Sequence, residues 1–255
     1  MTTSTVTTAD CERVQSDWFR LRATALGGTV SDDDGFVWTD GPDGLNLLFP
    51  RTLTPAAVRH GLDRARAVGR TSVGAWLGPE VDPTALAEAG FERGWSPWWM
   101  VADVDEVVGA APGPDPRVAL EEDTDDYGGE HAAYRDQLAL ARLRPRVAWY
   151  AAAHVGPDHR FAGRAWSFLD GGLAGVFDMA VWSPFRRRGL GTALLGAVCA
   201  AARDAGATHA VLNATPEGRL LYETCGFRRI GTGATWWWRA PAGPAGEGPG
   251  VGGDA

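Results

Sequence analysis

Arg186, Arg187, Arg188, Gly189, Leu190, Gly191 and Thr192 follow one another in a single stretch and hold the residue types that bind a polyanion. An apolar run from Gly175 to Val181 leads into them, and Leu190, Ala193, Leu194, Ala197, Val198 and Ala201 then recur at spacings of three and four. The pattern predicts a strand, a glycine-containing turn and an amphipathic helix that begins inside the basic segment and stops near Gly206. Glycine lets backbone approach a ligand closely, and the N–H groups at a helix start have no partner within the helix. With the helix dipole they favour phosphate oxygens, to which arginines add charge-assisted contacts. Two familiar phosphate motifs do not fit. No Lys-Ser/Thr pair follows the glycines, as a P-loop requires, and Leu194 stands where a dinucleotide fingerprint has its third glycine.

The elements around this segment follow from the same reasoning. Alternation puts Phe177, Met179 and Val181 on one face of the strand and Val176 and Asp178 on the other, with Pro184 ending it. After Gly206 a short strand is expected over residues 208–213. Thr215, Pro216 and Glu217 then read as N-cap, first-turn proline and first-turn acid of a second helix closing on Cys225 and Gly226.

Arg186, Gly189 and Gly191 satisfy Arg/Gln-x-x-Gly-x-Gly/Ala, and residues 221–227 read Leu-Tyr-Glu-Thr-Cys-Gly-Phe. The two motifs, in this order, resemble the acyl-CoA signature and the following Leu-Tyr-Glu-x-x-Gly-Phe segment of the GNAT acetyltransferase superfamily. The resemblance implies an α/β fold of the mixed type, a mostly antiparallel sheet flanked by helices, with acetyl-CoA as co-substrate. It implies that residues 186–192 hold the CoA pyrophosphate and that Tyr222 sits near the thioester sulfur as general acid. It further implies that a backbone N–H of Met179, Ala180 or Val181 polarises the thioester carbonyl, with Asn213 also on the cofactor side. Many relatives carry a glutamate where Gly175 stands, which leaves Asp178 as the acid on this strand and Glu130 and His131 as further candidate bases. Thr215 and Gly218 replace the Asn and Ala that relatives often show.

Composition narrows the partners. The 255 residues are 45% hydrophobic, and the net charge of −8 argues against a nucleic-acid partner. All of the basic residues are arginine. Cys11, Cys199 and Cys225 show no metal or redox spacing, so reduced thiols and no metal are expected. The polar N-terminus and the lack of any run of ~20 apolar residues give no signal peptide or membrane span, and a cytoplasmic location is expected.

The chain divides at a Gly/Pro/Ala-rich stretch. The expected arrangement is a domain over 1–108, a linker over 109–115, a second domain over 116–240 and a disordered tail over 241–255. The halves repeat. Residues 67–71 align with 204–208, Gly90-Phe91 with Gly226-Phe227, and tryptophans follow each Gly-Phe at Trp98-Trp99 and Trp236-Trp237-Trp238. In that register Thr52, Thr54 and Leu86 stand at the places of Gly189, Gly191 and Tyr222, so the first half is expected to bind no CoA. It then packs on the second as an internal pseudo-dimer within a monomer. Five carboxylates among residues 121–126 are a further feature that would attract an amine. The expected activity is acyl transfer from acetyl-CoA to a small-molecule amine. The alternatives are a non-catalytic acyl-CoA sensor and a protein N-acetyltransferase.

Overall fold

The computed structural model describes residues 5–123, apart from Asp34 and Asp43, and residues 132–241. The first half runs α1 (Thr8–Ala25), β1 (Thr29–Asp33), β2 (Phe36–Gly41), β3 (Gly44–Leu48), α2 (Pro55–Ala67), β4 (Ser72–Leu77), α3 (Thr84–Glu88), β5 (Glu92–Arg93), β6 (Trp98–Asp103) and α4 (Val104–Ala110). The second continues with β7 (Val118–Glu121), α5 (Ala132–Gln137), β8 (Ala148–Val155), β9 (Arg160–Asp170), β10 (Leu173–Val181), α6 (Leu190–Asp204), β11 (His209–Ala214), α7 (Arg219–Thr224), β12 (Arg228–Thr232) and β13 (Ala234–Arg239).

These strands form two mixed sheets, ordered β1-β2-β3-β4-β13-β5 and β12-β6-β11-β10-β9-β8-β7. The two sheets share a pairing pattern: β3 runs parallel to β4 as β10 does to β11, and the remaining neighbours are antiparallel. The two tryptophan-bearing strands change places. β6 of the first half lies between β11 and β12 of the second sheet, and β13 lies between β4 and β5 of the first. The sheets therefore do not follow the expected division at residues 109–115, because each half supplies an inner strand to the other. Gly109 and Ala110 are also helical, as the last turn of α4.

Helix α1 starts with a capping box, in which Thr7 Oγ1 accepts from the Asp10 N–H and the Asp10 carboxylate accepts from the Thr7 N–H. It buries Cys11, Val14 and Trp18 in one cluster with Trp99, Tyr150, Trp166, Phe168 and Val211 of the second sheet. An element of the first half thus covers one face of the second sheet. The opposite face carries α6, whose Leu190, Leu194, Leu195 and Val198 pack on Ala151, Ala165 and Val176. Burying apolar area at about 25 cal/mol per Å² on both faces makes this sheet the centre of the molecule.

Candidate active site

Strand β10 pairs in register with β11 only from Leu173 to Val176, opposite His209 to Leu212, yet β10 continues to Val181. Past that point the two strands part. In the first sheet, by contrast, β3 ends at Leu48, its last residue in register with β4. On its other side β10 keeps contact with β9, but its register shifts between Phe177 and Ala180, and Asp178 there has a φ of +48°. This bulge corrects the alternation expected from sequence. One extra residue reverses every later side chain, so Phe177 lies on the α1 side while Val176, Met179 and Val181 pack on the α6 side.

On the α6 side the basic segment forms a cradle. Pro184 ends β10 in a 3-10 turn, Ser183–Phe185, and the chain turns through Arg187 at φ +62° and Gly189 at φ +79° into α6. The first bond of the helix runs from the Ala193 N–H to the Gly189 carbonyl, so the preceding N–H groups, of Leu190, Gly191 and Thr192, lack intrahelical acceptors. No acid stands in the first turn and no side chain caps it. A Cβ on Gly189 would meet nothing within 4 Å, which leaves its surroundings open to an anion. Gly191 faces elsewhere. Its Cβ direction points at Leu221 Cδ2, 2.9 Å away, so its lack of a side chain lets α7 pack against α6. Arg186 Nε donates to the Val181 carbonyl at 2.9 Å, tying the cradle to the end of β10, and Arg117 donates to the Arg188 carbonyl at 3.1 Å.

Tyr222 lies on α7, which starts at Arg219 rather than near Thr215. Thr215 Oγ1 instead accepts from the Gly218 N–H and caps a turn. The Tyr222 hydroxyl stands 3.8 Å from Met179 Sδ on β10, and its ring meets Phe227 edge-on at 5.8 Å. Desolvation pushes the phenol up to about 12, so it keeps its proton at neutral pH. Burial does the same to the Cys199 thiol, also up to about 12, and raises Cys225. All three cysteines are free and buried, and among the described residues no cluster could hold a metal.

The α1 side carries groups that sequence reasoning did not connect. Arg22 of α1, itself buried, forms an ion pair with Asp178 at 2.5 Å and lies over the Trp18 ring, which stacks on Phe177 at 5.0 Å. Gln15 of α1 accepts a hydrogen bond from Asn213 Nδ2, so that side chain turns toward α1. At Gly175 a Cβ would lie 2.6 Å from both Phe177 and Val14, so no carboxylate fits there. The acids at 121–123 are engaged as well: Glu121 with His154 at 2.9 Å, Glu122 with Arg144 and Arg146, and Asp123 with Arg142. Glu130, His131 and residues 124–126 lie outside the described residues. Only long-range contacts reveal Arg22 and Gln15, since nothing local in α1 distinguishes them.

The helix start of the first half differs from that of α6. Thr54 caps α2 by accepting from the Ala57 N–H at 3.1 Å, and Pro55 brings no N–H at the first position. Two of the first three positions of the helix thus offer an anion no free N–H.

Residues 145–229 match the family model described as Acetyltransferase (GNAT) domain. These residues span β8 through the start of β12, which includes the cradle and Tyr222. The fold as a whole is that of two GNAT-like halves. Among solved structures, the chain resembles a GCN5-related N-acetyltransferase from Kribbella flavida at 16% identity and TM-score 0.59, over 89% of this chain and 96% of that one. It also resembles a tandem GNAT protein from the clavulanic acid biosynthesis pathway at 15% identity and TM-score 0.55, over 94% and 98%. A GCN5-related N-acetyltransferase-like protein from Streptococcus suis aligns at 13% identity and TM-score 0.56, over 90% and 99%. No curated protein matches the sequence. No helix among the described residues is long and apolar enough to cross a membrane.

Proposed function

We propose that the second half transfers an acetyl group from acetyl-CoA to the amine of a small molecule, directly and without a covalent enzyme intermediate. The observation that carries this reading is the juxtaposition of the uncapped α6 start, the parted end of β10 and the Tyr222 phenol over Met179. In this reading the N–H groups of Gly189, Leu190, Gly191 and Thr192, with Arg187 and Arg188, hold the pyrophosphate. The open edge of β10 at Met179, Ala180 and Val181 offers backbone groups to an extended ligand and an N–H to the carbonyl oxygen on which charge develops. The amine attacks in its neutral form and its surplus proton passes to solvent, while Tyr222 stays protonated until it donates to the departing sulfur. Thiolate needs little help to leave, so binding and orientation supply most of the acceleration. The acetyl-CoA side is the α6 face, and the acceptor reaches the carbonyl from the α1 face, where Asp178 and Arg22 lie. The first half acts as the packing partner of the second in a pseudo-dimeric monomer and binds no CoA itself, because Thr54 and Pro55 occupy its helix start.

A sensor that binds acyl-CoA without acceptor chemistry is the second reading. It is favoured by the Asp178–Arg22 pair, which engages the one carboxylate on β10. Tyr222→Phe separates the two readings: a transferase loses turnover at nearly unchanged acetyl-CoA affinity, whereas a sensor has no turnover to lose.

A further inference from the structure

We propose that the acceptor carries a carboxylate beside its amine, and that Arg164 binds that carboxylate. This rests on the transferase reading above and names the substrate class for it. Arg164 lies on β9 with Ala180 of β10 as its cross-strand partner, two residues beyond Asp178. Strand alternation puts it on the face of Trp166 and Phe168, which pack toward α1. That is also the face on which Asp178 meets Arg22.

The surroundings of Arg164 are unusual for a cation. Its guanidinium stacks on the Tyr134 ring at 3.9 Å. Tyr134 in turn lies against Phe161 at 5.9 Å and against Trp182, the residue after β10, at 6.4 Å. Two of its nitrogens, Nε and Nη1, are buried with no hydrogen-bond acceptor among the described residues. Most other arginines near the site have a partner: Arg22 has Asp178, Arg117 has Asp115, and Arg146 has Glu122. A buried guanidinium without an acceptor is costly, and one that also stacks on an aromatic ring is held ready for a planar anion.

A monoanion fits better than a phosphate. One guanidinium is free to meet it, because that of Arg22 is already engaged by Asp178. A carboxylate held by Arg164 leaves the amine of the same small molecule to reach the open edge of β10, where Ala180 is the cross-strand partner of Arg164. The acceptor that this geometry fits is therefore a zwitterion.

The test uses the full chain and a panel of amino acids, their carboxamides, the corresponding decarboxylated amines and O-phosphoethanolamine, each assayed with acetyl-CoA. Binding of the N-acetyl amino acids and of their amides is measured in parallel by calorimetry. The expected result is about 100-fold higher kcat/KM for carboxylates than for amides, the range for hydrogen bonds to a charged group. Arg164→Met should erase that preference mainly through KM, while Arg164→Lys restores part of it. The comparison within the wild-type protein needs no folded variant. Equal acetylation of carboxylates and amides, or a preference for the phosphate, overturns the inference and leaves the transferase reading standing. Absence of any acetylation, with N-acetyl amino acids still bound at least tenfold more tightly than their amides, supports the carboxylate site and overturns the transferase reading. Absence of both overturns both.

Discussion

Gly189→Ala is the substitution whose consequences the geometry separates most clearly. At φ +79° a Cβ clashes with its own backbone, which costs about 1–2 kcal/mol. No neighbour adds to this, because nothing lies within 4 Å of the added carbon. For a chain of this size 1 kcal/mol corresponds to about 2–4 °C, so Tm should fall by about 2–8 °C. The effect on acetyl-CoA is separate. The methyl projects into the space assigned to the pyrophosphate, and losing one N–H contact to a charged group costs about 1.5–3 kcal/mol, or roughly tenfold to a hundredfold in Kd. Differential scanning calorimetry and isothermal titration read the two effects. A variant that melts lower yet binds acetyl-CoA as tightly as the wild type would refute the cradle. Gly191→Ala is the control, since its Cβ meets Leu221 instead. It should displace Leu221 beside Tyr222 and lower kcat more than affinity.

The remaining predictions follow from the same contacts. Tyr222→Phe should reduce kcat by ~10²-fold with little change in acetyl-CoA Kd, and a rate within about twofold of wild type would exclude the acid role. Because burial raises the Tyr222 phenol and the Cys199 thiol to about 12, their protonated forms stabilise the fold fully below the unfolded values of 10.0 and 9.0. That contribution is lost as pH rises from about 9 through 12, which alkaline melts should show as a declining Tm that Cys199→Ala makes shallower. A double-mutant cycle of Arg22→Met and Asp178→Asn should give a coupling of about 1–2 kcal/mol. This is below the range for a fully buried pair, because a third of the Asp178 side chain is exposed. Residues 112–240 expressed alone lack β6, the strand between β11 and β12, and should be insoluble or oligomeric; a soluble, active monomer would show that strand exchange is dispensable.

How much of this was legible in the sequence depends on how local each signal is. The cradle, α6 and Tyr222 were readable because glycine spacing, helical periodicity and the second motif all lie within about forty residues. The likeness of the two halves was readable from the tryptophan runs after each Gly-Phe. The exchange of β6 and β13 was not, because both strands carry a run of tryptophans and nothing local in either says which sheet it joins. Alternation along β10 misplaced Phe177 because a bulge adds a residue without any local signature at Asp178. Arg22, Gln15 and Arg164 escaped notice for a related reason. Arginine and glutamine on a helix or strand read as solvated positions until distant aromatic rings and carboxylates are seen to close over them.

The central claim is acyl transfer by the second half, and its most direct measurement is an amine screen that quantifies CoA thiol released from acetyl-CoA together with product mass. Released thiol and an acceptor heavier by one acetyl group should appear in equal amounts, with both signals falling together in Gly189→Ala and Tyr222→Phe. Tight acetyl-CoA binding with no acetylated amine anywhere in the panel would contradict it.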